Sequence, residues 1–292
     1  MPRGRTNPVL VTRVRRDVDG GGDDRRRRPD KVVVEEPMEI RLDDHLVTTT
    51  MRTPGHDYEL AVGFLHSEGL LGGHPVSEVR YCATGSAVDT GFNIVSVSTG
   101  GRAPEPTARL GTTTSSCGLC GSTTIDDLAE RLVPLPGPPI PLDLEVVLAV
   151  AEKVRAEQEL FASTGAVHAA AAFDPLTAEV RLVREDVGRH NAVDKVVGHL
   201  VLHGGVGSAS EQPPVERQAH PPEGPHGAER DRRQGLFVSG RVSFEIVQKA
   251  WAAGFGLVAG VSAPTALAVE TAQRAGITLA GFLRGDSMNL YT

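Results

Sequence analysis

The sequence predicts a mixed α/β (α+β overall) protein, with a smaller mixed N-terminal domain followed by a more regular α/β domain. Three observations carry this. Residues 235–292 alternate apolar strand-like runs with helical stripes in the order β-α-β-α-β, which requires a sheet with parallel neighbours and helices packed on it. A proline-rich stretch from Pro134 to Pro141 separates that region from shorter, less regular strands before it. The chain has 292 residues, 40% of them hydrophobic and 23% charged, enough apolar material for two cores.

Residues 1–30 read as a disordered tail. Gly20-Gly21-Gly22-Asp23-Asp24 followed by Arg25-Arg26-Arg27-Arg28-Pro29 has no periodicity and no apolar content. Four arginines in a row raise the idea of a nucleic-acid or membrane patch, but acidic residues flank them on both sides, and a solvated tail is expected. Residues 31–141 form the first domain. Lys31 to Thr50 offers short strands broken by Pro37 and Asp43-Asp44, and Leu60, Phe64 and Leu65 have helical spacing. Val79 to Ala83 reads as a strand that buries Cys82, and Phe92 to Ser98 alternates like a half-buried strand. A short helix follows through Leu128 and Leu132, with Thr124 able to cap it.

Residues 142–292 form the second domain. Leu144, Val147, Leu148, Ala151 and Val154 mark an amphipathic helix. Val167 to Phe173 and Glu179 to Val183 read as a hairpin around Asp174-Pro175, and Ala192 to Val201 carries another apolar stripe. Residues 203–234, rich in Gly, Pro, Glu, Arg and His, read as a disordered insertion. Strands at 236–238, 256–261 and 278–283 then alternate with helices at 244–253 and 265–274.

The net charge of -7 argues against general nucleic-acid affinity, which needs a basic face. Three cysteines, two of them in one CxxC, do not make a disulfide framework. No apolar signal-peptide core opens the chain, and no apolar run approaches the roughly 20 residues of a membrane span. A cytoplasmic protein with reduced thiols is expected.

Four polar segments follow strand-like runs in the second domain: Arg184 to Asn191, Ser239-Gly240-Arg241, Ser262-Ala263-Pro264-Thr265, and Arg284-Gly285-Asp286-Ser287. Ligands of open α/β sheets bind beyond the carboxyl ends of strands, and helix N-termini with small residues present free N–H groups to phosphate. Arg241 and Arg284 add bidentate donors, although Arg241 could instead pair with an acidic neighbour such as Asp186. Taken singly, each loop is an ordinary turn or cap. Four on one sheet edge suggest an anionic, nucleotide-like ligand. There is no Walker pattern, and Gly254-Phe255-Gly256 precedes a strand, so it is no dinucleotide fingerprint.

Cys117-Gly118-Leu119-Cys120 sits between Thr112-Thr113-Thr114-Ser115-Ser116 and Gly121-Ser122-Thr123-Thr124, where little can pack a core. Chemistry rather than packing is the reason to expect for such thiols. A thioredoxin-like dithiol would open a helix directly after a strand. Half of a zinc site would need further ligands, and Cys82 with scattered histidines is a weak complement. A nucleophilic thiolate carrying a group such as a persulfide sulfur is the third reading. The residues alone leave all three open. His168 invites comparison with zinc deaminases, but residue 170 is Ala where their H-x-E needs Glu, and no Pro precedes Cys117. His168 is expected to be a satisfied core or sheet-edge histidine.

Ser115 to Gly121, Arg184-Glu185-Asp186-Val187-Gly188-Arg189-His190-Asn191-Ala192-Val193-Asp194-Lys195, Val238 to Arg241, Val261 to Thr265 and the ending Gly281 to Thr292 together resemble the formate dehydrogenase accessory sulfurtransferase family, FdhD. The resemblance spans about residues 31–202 and 235–292. It implies a sulfur carrier that a cysteine desulfurase loads as a persulfide. The sulfur would pass to the molybdenum of the bis-molybdopterin guanine dinucleotide cofactor, a bound substrate, before insertion into formate dehydrogenase. It further implies a cytidine-deaminase-like second domain, a cytoplasmic homodimer, no permanent metal, and no nucleic-acid or membrane partner. By motif position Cys117 would carry the persulfide with Cys120 as partner. Phe282-Leu283-Arg284-Gly285-Asp286-Ser287 would contact the cofactor, joined by Ser239, Gly240, Arg241, Ser262 and Thr265. The alternative is a non-catalytic cofactor-binding chaperone whose Cys pair is structural or holds zinc.

Overall fold

The computed structural model describes residues 4–16, 23–82, 87–88, 90–106, 112–113, 132–204 and 234–292. Its first elements correct the expectation of a disordered tail over 1–30. Strands β1 (Thr6–Arg16) and β2 (Asp23–Val33) pair antiparallel as a separate two-stranded ribbon. The physical reason is that Val9, Val11 and Val14 favour extended backbone, and strand geometry sends consecutive arginines to opposite faces. Exposed pairs of Arg25 with Asp23 and Arg26 with Asp24 relieve part of the repulsion.

Strands β3 (Glu36–Leu42) and β4 (His45–Arg52) form a hairpin, followed by helix α1 (Asp57–Ser67) and strands β5 (Glu78–Tyr81), β6 (Ile94–Ser98) and β7 (Thr112–Thr113). They make a five-stranded sheet in the order β5-β6-β3-β4-β7. Asp43 and Asp44 turn the hairpin with positive φ at both positions. Pro37 does not break β3. It precedes the stretch where β6 joins, so its missing N–H costs no bond on that side. Leu60, Ala61 and Leu65 of α1 pack on Met38, Ile40, Val95 and Val97. Cys82 is buried here, its Sγ 3.4 Å from Thr90 Oγ1.

The second unit runs α2 (Leu144–Glu157), α3 (Glu159–Thr164), β8 (His168–Phe173), β9 (Val180–Asp186), α4 (Arg189–Leu202), β10 (Gly235–Val238), α5 (Phe244–Ala252), β11 (Leu257–Gly260), α6 (Ala266–Ala275), β12 (Thr278–Arg284) and β13 (Ser287–Leu290). Its six-stranded sheet has the order β13-β12-β11-β10-β8-β9, with β10, β11 and β12 parallel, as the β-α-β-α-β pattern requires. Val147, Val150 and Val154 of α2 cover one face against Phe173, Phe237 and Leu257. Helices α4, α5 and α6 cover the other against Leu236, Val258 and Leu279. The connector before α2 lies on this unit: Leu135 donates its N–H to Ala275 O, and Trp251 Nε1 donates to Val133 O.

The two units meet where α1 crosses α4, backbone against backbone. A Cβ on Gly63 would stand 1.8 Å from Asp194 O, and one on Gly198 1.8 Å from Glu59 O. A buried polar network surrounds this crossing. Arg184 Nη2 donates to Glu59 Oε1 at 2.7 Å, Ser67 Oγ to Asp194 Oδ1 at 3.1 Å, and Lys249 Nζ to Asp194 Oδ1 at 2.9 Å. Burial alone would raise the Glu59 carboxyl, but hydrogen bonds from Arg184, His56 and His199 outweigh it and hold that group far below the usual carboxylate range. Among the described residues, no helix is long and apolar enough to cross a membrane.

Candidate functional site

Strands β9, β10, β11 and β12 all end at one edge of the six-stranded sheet, where antiparallel β8 begins. Helices α4, α5 and α6 therefore all start there. Their N-terminal N–H groups have no partner within the helix, which makes such an edge receptive to anions. The caps differ. Thr265 Oγ1 accepts from Ala268 N and closes α6, while Gly188 before α4 and Ser243 before α5 provide no side-chain cap.

The expected loops converge at this edge. Ser239 is tied to β8 twice, its N–H donating to Ala169 O and its Oγ accepting from Ala169 N, both at 2.9 Å. Val242 N donates to Ala263 O and Thr265 N to Val242 O, which joins the second loop to the third. Phe282 N donates to Ser262 O at 3.2 Å and brings in the last segment. Gly240 forms the floor of the mouth. A Cβ there would lie 3.3 Å from His168 Nδ1 and 3.9 Å from Arg189 Cδ.

The mouth is basic. His168 is half-buried and, against expectation, has no hydrogen-bond partner among the described residues. Burial pushes its imidazole below the usual range, and the nearby charges of Arg189, His190 and Arg241 push it further. Arg189 has a buried Nε with no partner, and Arg241 is exposed and forms no ion pair among the described residues. His190 Nε2 lies 3.2 Å from Ser243 Oγ and 3.6 Å from Glu245 Oε2. The hydrogen bond from His190 to Glu245 is the main reason the Glu245 carboxyl sits at about 2.

Arg241 does not pair with Asp186. The Asp186 carboxylate is fully buried, and it accepts from Lys195 Nζ (2.7 Å), Gly188 N (2.8 Å), Asn191 Nδ2 (3.0 Å) and Thr53 N (3.1 Å). Most of the segment from Arg184 to Lys195 is similarly committed to scaffold. Glu185 accepts from Leu160 N and Phe161 N at the start of α3, and Asn191 donates to Met51 O. Only Arg189 and His190 of that segment reach the mouth. For Arg189 the sequence carries one signal: its Gly-Arg pair at a strand-to-helix junction repeats that of Gly240-Arg241.

The segment from Phe282 to Ser287 is divided. A register shift between Gly281 and Arg284 leaves Phe282 at φ 53 and 36% exposed. Such a bulge re-aims a side chain, here an aromatic ring beside the mouth with the Arg284 guanidinium 5.8 Å from its centroid. Leu283, Arg284 and Gly285 line a different cleft of about 410 Å³ against Glu145, Leu148, Ala149 and Glu152 of α2. Asp286 is exposed in the turn and Ser287 is exposed at the start of β13. Cys117 and Cys120, the helix through Leu128 and most of the insertion at 203–234 lie outside the described residues.

The model of the FdhD/NarQ family matches residues 33–292. The sulfur carrier protein FdhD of Streptomyces avermitilis is 44% identical over 273 residues, covering 90% of this chain and 87% of that one. The protein of the same name from Mycobacterium tuberculosis is 42% identical over 281 residues, covering 90% of each. A crystal structure from Desulfotalea psychrophila, provisionally assigned as a formate dehydrogenase accessory protein, superposes with a TM-score of 0.66 at 20% identity. It covers 98% of this chain and 96% of its own.

Proposed function

The chain belongs to the FdhD/NarQ family, and from that premise we propose that it is a sulfur carrier serving formate dehydrogenase. A cysteine desulfurase would be the donor. The Cys117 thiolate attacks the outer sulfur of the donor's persulfide, one S–S bond replaces another, and the donor leaves as a thiolate. The acceptor, as substrate, is the bis-molybdopterin guanine dinucleotide form of the molybdenum cofactor. Release of the carried sulfur as sulfide needs two electrons. Cys120 supplies them by attacking Cys117, so that the pair ends as a disulfide, the sulfane sulfur as sulfide, and the two protons go with it. The setting is cytoplasmic and the assembly a homodimer.

The observation that carries this reading is the convergence of three loops and two uncapped helix starts beside Arg189 and Arg241. Phosphates of the guanine nucleotide part would lie there, with Ser239, Gly240, Ser262 and Thr265 forming the wall. Phe282 offers a ring for stacking, and Arg284 a charge from the adjoining cleft. The tether of the Cys loop supports the same reading. β7 pairs with β4 at Thr50↔Thr113, and Thr50 Oγ1 is 3.5 Å from Asn191 Oδ1. Cys117 follows four residues later, a span of at most about 14 Å. Ala170 stands in the middle of β8 where a deaminase-like architecture would need its general acid/base, which fits a fold of that kind turned to another use.

Intact-mass measurement after incubation with a cysteine desulfurase and cysteine tests the proposal. The wild-type protein gains one sulfur and Cys117→Ala gains none. Stoichiometric zinc held by the Cys pair would instead support the chaperone reading.

A further inference from the structure

The ribbon formed by β1 and β2 is not used by the proposed function, and it ends where the residues matched by the family model begin. Its two strands carry eight basic residues and three aspartates, in a chain of net charge -7. Arg13, Arg15, Arg16, Arg27 and Arg28 are exposed and have no carboxylate partner among the described residues. Leu10, Val14 and Val32 are also exposed, at 62%, 52% and 43%. Among the described residues neither strand has a second neighbour, so both outer edges offer unpaired backbone N–H and C=O groups. An isolated two-stranded ribbon is marginal in water, and a third strand is the usual remedy.

We infer that this ribbon is a docking arm for an acidic, extended polypeptide segment of a partner protein, which adds to it as a strand. The backbone edges supply the pairing, and the arginines supply both the sign and the register. Cross-strand register places Val14 opposite Arg25 and Leu10 opposite Pro29 on one face, with Arg13 opposite Arg26 and Val11 opposite Arg28 on the other. An added strand with alternating acidic and apolar side chains matches both faces. A second copy of the ribbon is excluded as occupant because arginine would face arginine. A long nucleic acid would extend from the ribbon over a body that is acidic once the ribbon's charge is set aside, and it has no backbone donors for the edges.

The test uses the full chain and a fluorescein-labelled ten-residue peptide of alternating Glu and Val, followed by anisotropy. Saturable binding is expected, weakening at least tenfold between 50 and 300 mM salt, and at least tenfold in Arg27→Glu/Arg28→Glu. The milder Arg27→Gln/Arg28→Gln variant, which keeps the wild-type melting curve, should show an intermediate loss. The same peptide N-methylated at alternate residues keeps its charge but loses one edge of backbone donors, and it should bind at least tenfold more weakly. Equal affinity of the methylated peptide would overturn strand addition. Unchanged binding by both variants, or tighter binding of a 20-base-pair DNA duplex than of the peptide, would overturn the assignment of partner.

Discussion

Gly63→Ala separates local preference from tertiary packing more sharply than any other substitution in this chain. In an isolated helix the change would stabilise α1 by about 1 kcal/mol, because Ala loses less backbone entropy than Gly. In the folded protein the new Cβ would stand 1.8 Å from Asp194 O, a backbone atom that cannot swing aside. To reach even a tight 3.0 Å contact, α1 and α4 must part by about 1.2 Å. That displacement stretches Arg184–Glu59 and His199–Glu59, now 2.7 and 2.9 Å, beyond hydrogen-bond range. Hydrogen bonds to charged groups contribute about 1.5–3 kcal/mol, and overpacking strain adds about 1–3 kcal/mol. With both bonds lost and the propensity gain set against them, the net loss is about 3–8 kcal/mol. Urea unfolding followed by circular dichroism should show a lower midpoint at unchanged slope. Gly69→Ala is the control. Unlike Gly63 it has a positive φ, so a side chain there is strained, but it stands in open space and should lose only about 1–2 kcal/mol. A Gly63→Ala loss under 1 kcal/mol would refute the claim that the helices are locked backbone to backbone.

Other consequences are open to direct measurement. Arg284→Ala should weaken GDP binding by about 1.5–3 kcal/mol in a calorimetric titration while leaving sulfur loading intact; unchanged affinity in both this variant and Arg241→Ala would place the nucleotide elsewhere. Arg189→Ala should abolish protection by inorganic pyrophosphate against thermal unfolding, and persistence of that protection would remove Arg189 from the mouth. Glu245 has a folded-state pKa of about 2 against an ordinary 4.5, so its stabilising contribution is complete above about pH 4.5 and disappears as pH falls toward 2. The stability gap between wild type and Glu245→Gln should therefore close over that window, and a pH-independent gap would contradict the His190 contact. Cys117→Ala should gain no sulfur mass from the desulfurase, and a gain at Cys120 would reassign the carrier.

The second unit was the legible part of the chain because its signals are periodic. The apolar run at 236–238, the stripe through Phe244, Val247 and Trp251, and the run at 257–261 each report one element, and alternation then leaves little choice of sheet. The three small-residue loops followed from that topology, since parallel strands must end at one edge. Arg184 to Lys195 was legible as important but not as scaffold. Nothing in its spacing says that Asp186 faces Thr53 or that Asn191 reaches Met51 O, contacts 133 and 140 residues apart in the chain. The ribbon is not legible because the arginine cluster and the aspartates mask the β-branched residues Val9, Val11 and Val14, which do not share one face. No motif marks His168, whose place in the mouth depends on Gly240 lying against its ring.

β4 connects these findings. Its residues Thr50 and Met51, with Thr53 just after it, receive or supply the bonds that position Asn191, Lys195 and Asp186, and these in turn hold Gly188 and the start of α4. The same strand pairs with β7, from which the chain enters the Cys segment. The face of β4 that carries Thr48, Thr50 and Arg52 is buried, so the strand does not slide: a shift of one residue would turn every side chain to the wrong face. The root of the Cys segment and the basic mouth are therefore fixed relative to each other by a single rigid strut. This explains why so costly a network of buried charges stands between two sheets that could have been joined by apolar packing alone: Asp186 and Lys195 specify one docking angle, where a greasy interface would accept several.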